Sequence, residues 1–212
     1  MNKLVQFIAE RYPDILWRMV EHVYISLTAV VLGFFTAVPL GILLSRSEKW
    51  SKVVIGLVNT VQTIPSLALI GFLIPFLGIG LKPAIGALFL YSLLPMLRNT
   101  YVGIREVNPA LKEAAKGMGM TGFQTLIMVE IPMAIPVIMS GFRTATIYTV
   151  SWATLAALVG GGGIGYLIFT GLWVFNNTYI IVGALATALL AILADWFGRK
   201  LQKWCTPAGL LK

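Results

Sequence analysis

Charged residues are scarce in this sequence. Only 11% of its 212 residues are charged, whereas a soluble domain of this size typically carries about a quarter. Eight acidic side chains cannot keep in solution a chain that is 58% hydrophobic, with a mean hydropathy of +0.87. The shortage of charge excludes an ordinary soluble enzyme and a disordered protein, and it indicates an all-α polytopic membrane protein.

Cysteine and histidine are almost absent. The single cysteine, Cys205, cannot form an internal disulfide bond, which excludes a disulfide-stapled secreted domain. The single histidine, His22, lies near one end of the first apolar run, where we expect it at the membrane interface. Acidic residues are scattered, with no paired set and no HExxH motif. The sequence therefore predicts no catalytic residues, no metal ligands and no bound cofactor on this chain.

A glycine-rich segment formally fits a nucleotide-binding pattern. Gly160 to Gly165 match G-x-G-x-x-G, but no acidic ribose partner follows about twenty residues later, and the flanks are apolar spans. Tyr166 follows Gly165, where a Walker motif would have lysine. This chain is therefore expected not to hydrolyse ATP. The glycines form either a flexible turn near a gate or an ordinary loop.

Long uncharged runs predict about five membrane-spanning helices, because ~20 apolar residues cross a bilayer as a helix. Pro65 is expected to kink or break the second span, and Pro132 and Pro136 to interrupt the fourth. The region between Gly160 and Asn177 is expected to be irregular. Residues 1–212 are predicted to form a single transmembrane domain with a polar loop at about 98–124. The five predicted spans are residues 23–45, 53–76, 84–97, 126–155 and 179–197.

Basic residues predict which side of the membrane each loop faces, because cytoplasmic loops carry an excess of Lys and Arg. With the N-terminus outside, the inside segments hold eleven basic residues: Arg46, Lys49, Lys52, Arg98, Arg105, Lys112, Lys116, Arg199, Lys200, Lys203 and Lys212. The outside segments hold four: Lys3, Arg11, Arg18 and Lys82. The N-terminus is therefore predicted outside and the C-terminus in the cytoplasm. The same bias explains the net charge of +8 without a nucleic-acid partner.

The polar loop contains the signals of a short, well-capped helix. Asn108 is a good N-cap, Pro109 suits the first helical position, and Gly117 or Gly119 can end the helix. The segment from Thr121 to Gln124 has the spacing of a capping box that starts the next helix. Such a rigid helix can dock on a partner or lie on the lipid headgroups, and the residue pattern alone favours neither.

This loop resembles the EAA loop of ABC-importer permeases. Glu-Ala-Ala occupies residues 113–115, with Gly119 four residues later, and then Val129 and Ile131-Pro132 stand close to the family's aliphatic residue and Leu-Pro. In that family the helix couples the permease to a cytoplasmic ATPase. The resemblance, with the small and apolar surface of the helix, implies this role for Leu111, Glu113, Ala114, Ala115 and Gly119.

Two further segments, residues 60–68 and 151–165, resemble the permeases of importers for glycine betaine, carnitine, choline and related osmoprotectants. The glycine run is also similar to methionine-importer permeases, so a permease for methionine or another small solute is the alternative. A membrane scaffold without transport activity, or an intramembrane enzyme, is the alternative outside that class.

The resemblance also implies partners and a location. Two copies of a cytoplasmic ATPase would bind ATP and Mg²⁺, and a second permease, identical or homologous, would complete the pathway. An extracellular or periplasmic substrate-binding protein would deliver the cargo. The chain would be a multi-pass protein of the bacterial cell membrane that works by alternating access.

Three residues within or beside the fourth span are candidates for lining the pathway. Arg143 is the clear charge inside a predicted span, and such charges are often functional, although a structural role near the headgroups is the alternative. Glu130 is roughly 20 Å away along a helix, too far to pair with it. Tyr148 and Trp152 adjoin the glycine run, and aromatic rings bind quaternary ammonium groups.

Overall fold

The structure, a computed structural model, describes residues 3–207 and residue 209; Lys212, counted above with the inside residues, lies outside them. The described part of the chain is helical, with short connections and no strand. Its α-helices in chain order are α1 (Lys3–Leu44), α2 (Glu48–Thr63), α3 (Ser66–Leu77), α4 (Leu81–Arg105), α5 (Pro109–Gly117), α6 (Gly122–Thr125), α7 (Ile131–Trp152), α8 (Gly165–Trp173) and α9 (Asn177–Cys205).

Close contacts at glycines give the direction in which α4 runs. Gly33 of α1 faces Ser92 of α4, and Gly41 faces Thr100 two turns later. Residue numbers rise together in both pairs, so α1 and α4 run parallel. A Cβ atom on Gly33 would lie 2.0 Å from the Ser92 hydroxyl, so this small-residue face of α1 packs within the subunit.

Helix α7 runs in the opposite direction and lies between α4 and α9. Gly103 of α4 faces Val137, and Gln202 of α9 donates a hydrogen bond to the Pro136 carbonyl at 3.0 Å. Towards the other end of α7, Gly198 of α9 packs on Arg143. Helices α1, α4 and α9 therefore begin at one end of the bundle and finish at the other, the end that carries α5.

The connection from α1 to α4 must cross the bundle, because α1 finishes at the α5 end and α4 begins at the opposite end. Helices α2 and α3 make this crossing as a pair bent by 100°. Pro65 lacks an N–H group and forces Ile64 into an extended conformation, so the helix breaks where the sequence predicts. Tyr91 of α4 donates its hydroxyl to the Ile64 carbonyl and so satisfies the exposed backbone group.

The chain thus passes five times between the two ends. Within the described residues, three stretches are long and apolar enough to cross a membrane on their own, in α1, in the region 122–159 and in α9; the bent pair adds a fourth. Helix α4 has 25 residues, which is long enough, and it packs at the centre against α1, α2, α3 and α7. Large apolar side chains such as Phe35 and Ile192 face outwards, as expected in lipid.

Several predicted boundaries are wrong. Helix α4 continues through Arg98 to Arg105, so the polar loop begins about eight residues later than expected. Pro132 occupies the first turn of α7, and the helix continues through Pro136, so neither proline interrupts it. The irregularity lies just before them, as a π-helical turn at Leu126–Glu130.

The region expected to be irregular contains the nine-residue helix α8. A 3₁₀ helix, Ala153–Val159, precedes it and leads into the glycines. Asn176 then caps α9, because its side chain accepts a hydrogen bond from the Thr178 amide at 3.0 Å.

Candidate functional site: the α5 surface and the glycine loop

Helix α5 is capped at both ends as the sequence predicts. The Asn108 side chain accepts a hydrogen bond from the Ala110 amide at 2.9 Å, and Pro109 takes the first helical position. After the helix, Gly119 adopts φ +79°, a left-handed conformation that favours glycine. Thr121 and Gln124 then form a reciprocal capping box at the start of α6. The two helices therefore form a rigid corner.

One side of this corner is exposed and partly apolar. Leu111, Glu113 and Ala114 face away from the bundle, and Met118 and Phe123 are each 71% exposed. We call these five residues, with Gly119, the α5 surface. This surface combines two large apolar side chains with a charge, and it lies at an end of the bundle that also carries basic residues. Such a combination is typical of a surface that contacts another protein.

Ala115 does not belong to this surface. Its side chain is 1% exposed and packs against the chain itself. The expectation that both alanines make the outer surface small is therefore corrected: Ala114 does so, whereas Ala115 lets α5 approach the bundle closely.

A buried carboxylate lies beneath α5. Glu130, the last residue of the π-helical turn, is 3% exposed and accepts hydrogen bonds from both terminal nitrogens of Arg46, in the α1–α2 loop. Lys112 of α5 lies 3.7 Å from the same carboxylate and donates to the Ile104 carbonyl at 3.1 Å. Sequence reasoning considered Glu130 only as a partner for Arg143 and missed this network.

The glycine loop, residues 160–165, lies at the opposite end and is held by the beginning of α1. The Gly163 amide donates to the Glu21 carboxylate at 3.0 Å, and Trp17 and Arg18 donate to the same carboxylate. The Arg18 guanidinium also lies 4.0 Å from the centre of the Tyr166 ring. The loop is thus pinned to α1, contrary to the expectation of a flexible turn.

Close packing explains why these residues are glycines. A Cβ atom on Gly165 would lie 1.8 Å from the Thr154 carbonyl oxygen, and Gly162 and Gly163 have positive φ angles. His22, expected at the membrane interface, lies beside Gly163, is fully buried and donates from Nε2 to the Val150 carbonyl at 2.8 Å. The His22 side chain is therefore buried within the protein, where it joins α1 to α7 and the loop, and its location at the membrane interface stays a prediction.

Tyr148 and Trp152 belong to a row of three aromatic rings. The Trp152 ring lies 4.7 Å from that of Tyr91 and 5.7 Å from that of Tyr148, measured between centroids. The row begins at the buried Tyr91, beside the break between α2 and α3, and ends at Tyr148, which is 49% exposed. The structure therefore brings the two predicted aromatic residues together and adds a third.

Arg143 has a partner that sequence reasoning missed. Its Nε donates to Asp195 of α9, and Arg199 lies 2.9 Å from the second oxygen of that carboxylate. Asp195 falls inside the last predicted span, so Arg143 is not the sole charge within the spans. This pair ties α7 to α9 and was signalled by the sequence, because an acidic residue in an apolar run needs a partner.

A family model described as "Binding-protein-dependent transport system inner membrane component" matches residues 29–206 of the sequence. The chain belongs to this family. It is a multi-pass membrane component of a transport system, as the EAA-like loop predicts.

Relatives with known names support the narrower resemblance as well. The chain is 52% identical over 210 residues to the glycine betaine/carnitine/choline transport system permease protein OpuCB of Bacillus subtilis, covering 99% of this chain and 97% of that protein. It is 50% identical to the choline transport system permease protein OpuBB of the same organism, with the same coverage. The carnitine transport permease protein OpuCB of Listeria monocytogenes is 47% identical over 99% of this chain and 96% of its own length.

Solved structures share the fold. A chain of the MetNI methionine ABC transporter in an inward-facing conformation superposes with a TM-score of 0.83 over 98% of this chain and 100% of its own length, at 22% identity. A chain of an amino acid ABC transporter gives 0.73 at 20% identity, covering 92% of this chain and 97% of that one. These similarities confirm the importer-permease fold.

Proposed function

We propose that this chain is the permease subunit of an ATP-driven importer for quaternary ammonium osmoprotectants, namely glycine betaine, carnitine and choline. The observation that carries the proposal is its 52% identity, over nearly its whole length, to a permease named for these three solutes. The methionine alternative is not favoured, because the methionine transporter matches in fold at only 22% identity.

Docking of an ATPase on the α5 surface explains the form of that surface. A capped helix with an exposed Leu111, Met118 and Phe123 offers apolar anchors, and Glu113 offers a charge. Two ATPase copies would dock there, one on each of two permeases, and each ATPase would bind ATP and Mg²⁺ in its own site. Their closure on ATP would move α5, and hydrolysis would reset it, so that the pathway alternates between outward and inward access.

The charges favour an orientation with the α5 end in the cytoplasm. Arg46, Arg105, Lys112 and Lys116 gather around one cavity at this end, and cytoplasmic segments carry an excess of basic residues. The N-terminus and the glycine loop would then face outside, where a binding protein would deliver cargo.

The aromatic row would border the pathway between two permeases. Tyr148 presents an exposed ring at its end, and a quaternary ammonium group is attracted to the face of such a ring. Arg143 is less suited to the pathway than expected, because Asp195 already pairs with it.

Uptake of radiolabelled solute tests the proposal. Cells that lack their own osmoprotectant importers would express the permease with its partner proteins in high-salt medium. We expect accumulation of labelled glycine betaine, carnitine or choline, and no accumulation of labelled methionine. Methionine uptake without uptake of any of the three quaternary amines would establish the alternative.

A further inference from the structure

Glu130 is buried at a place where an unpaired carboxylate would be costly. Its side chain is 4% exposed, and a carboxylate is retained in such surroundings only when it is paired and hydrogen-bonded. Two cations supply this pairing, and each comes from a different segment. Arg46 belongs to the loop that joins α1 to α2, and Lys112 belongs to α5.

The carboxylate also offsets the positive charge of a strongly basic cavity. A space of about 560 Å³ beneath α5 is lined by Arg46, Arg105, Lys112 and Lys116, and Glu130 is the acidic residue in its described lining. Without the carboxylate, the two lysines of α5 would face Arg46 of the α1–α2 loop and Arg105 of α4. Like charges at such a site repel, which would push α5 away from the bundle.

The backbone around Glu130 is itself unusual. Ile131 donates its amide to the Leu126 carbonyl, five residues back, so Glu130 ends a π-helical turn at the start of α7. Such turns are rare and frequently lie at functional sites. The α1–α2 loop, α5 and the beginning of α7 therefore meet at one side chain.

We propose that Glu130 is a positioning residue that transmits the movement of α5 to α7 and to the α1–α2 loop. It acts through Lys112 and Arg46, and it does not contact cargo. The inference rests on the proposed function, because it concerns how the movement of an ATPase-driven helix reaches the membrane spans.

The test uses the complete transporter, with its ATPase, permeases and binding protein, reconstituted in lipid vesicles. Uptake of labelled glycine betaine and hydrolysis of ATP are measured in the same vesicles, and their ratio gives the coupling. The variants are Glu130→Gln, Glu130→Asp and Lys112→Met. Glu106→Gln is the matched control, because Glu106 is an exposed glutamate at the same end of the molecule.

We expect Glu130→Gln to retain the ATPase and its hydrolysis, while uptake per ATP falls about tenfold. Glu130→Asp should recover part of the ratio, and Glu106→Gln should equal wild type. The double variant Lys112→Met/Glu130→Gln should have the same uptake per ATP as Glu130→Gln alone, because both changes break the same Lys112–Glu130 ion pair.

A normal ratio in Glu130→Gln would overturn the inference, as would uptake and hydrolysis that fall together with the amount of assembled complex in both Glu130 variants. If Glu130→Gln fails to assemble but Glu130→Asp assembles, Lys112→Met decides, since it leaves Glu130 paired with Arg46: a lowered ratio supports the inference and a normal one contradicts it. Failure of the proposed function would be seen separately, as absence of osmoprotectant uptake by the wild-type transporter.

Discussion

Gly119, two residues after the end of α5, adopts a left-handed conformation, which costs a residue with a Cβ atom on the order of 1–2 kcal/mol. Apart from its two neighbours in sequence, a Cβ atom there would nevertheless meet no atom of the described residues within 4 Å. Any steric need for glycine beyond its φ angle must therefore come from a partner.

Substitutions on the α5 surface should abolish transport without preventing insertion. We predict this for Gly119→Asp, which places charge and bulk at the contact, and for Glu113→Lys, which reverses the exposed charge. Gly117→Ala is the control, because Gly117 has equally open surroundings and no positive φ angle. Whole-cell uptake and co-purification of the ATPase are the measurements. Full uptake with bound ATPase in both variants would mean that α5 merely lies on lipid headgroups.

Aromatic rings at the end of the row should contribute to recognition of the cargo. We predict that Tyr148→Ala raises the KM for glycine betaine uptake about tenfold, the size of a partly desolvated cation–π interaction. Tyr148→Phe retains the ring and should stay close to wild type. Trp152→Ala should raise this KM at least as much, since Trp152 also packs on Tyr91. If both alanine variants have an unchanged KM and an unchanged rate of uptake, Tyr148 and Trp152 do not line the pathway.

Single residues also show where sequence reasoning stops. The caps of α5 were predictable because Asn108, Pro109 and Gly119 act on neighbouring backbone. The partners of Glu130 were not, because Arg46 is 84 residues away in sequence and only the packed bundle brings the two together. Burial of Ala115 and His22 likewise depends on how the helices pack.

At the scale of elements, helices α7 and α9 are joined by polar contacts along an otherwise apolar interface. The Arg143–Asp195 pair lies on one side of Gly198, and the hydrogen bond from Gln202 to Pro136 lies further towards the α5 end. Charges within spans are costly, so their pairing fixes how the two helices pack against each other.

Removal of one partner should therefore loosen this helix pair. We predict that Asp195→Asn lowers the midpoint of thermal unfolding, because Arg143 and Arg199 both lose the carboxylate with which they pair. Arg199→Gln, which removes the more exposed partner, is the control. Thermal unfolding in detergent measures the change. The double variant Arg143→Met/Asp195→Leu should recover stability. If that stable variant loses uptake, Arg143 has a role in the pathway after all.

Proline illustrates how far elements can be predicted. Pro65 breaks the second span as expected, because it has no N–H to continue the helix and Ile64 becomes extended. Pro132 and Pro136 carry the same signal without the same effect: Pro132 lies in the first turn, where its missing N–H is tolerated, and α7 continues through Pro136. The π-helical turn before them has no sequence signature.

On the scale of the whole molecule, the alternating directions of the helices place α5 and the glycine loop at opposite ends. Five passes and the importer-permease fold were predictable, since span lengths and the EAA-like loop are both local features. The distribution of basic residues predicts, in addition, that the α5 end faces the cytoplasm.

Labelling of single cysteines should reveal this orientation. In a Cys205→Ser background, we expect Val174→Cys, in the exposed α8–α9 connection, to react with a membrane-impermeant maleimide in intact cells. Lys116→Cys, exposed on α5, should react only after permeabilisation, and a reporter fused after Lys203 should read cytoplasmic. The reverse labelling pattern would contradict the charge-based assignment.

The packing of the glycine loop limits how this part of the sequence can diverge. At Gly165 any side chain would overlap the Thr154 carbonyl, and at Gly162 it would meet the Glu21 carboxylate at 2.7 Å. Side chains are excluded at these positions by the fold itself, whatever the cargo is. We therefore expect permeases that have changed solute to keep the run. Substitutions that change cargo preference should instead occur at positions where a new side chain has free space around it.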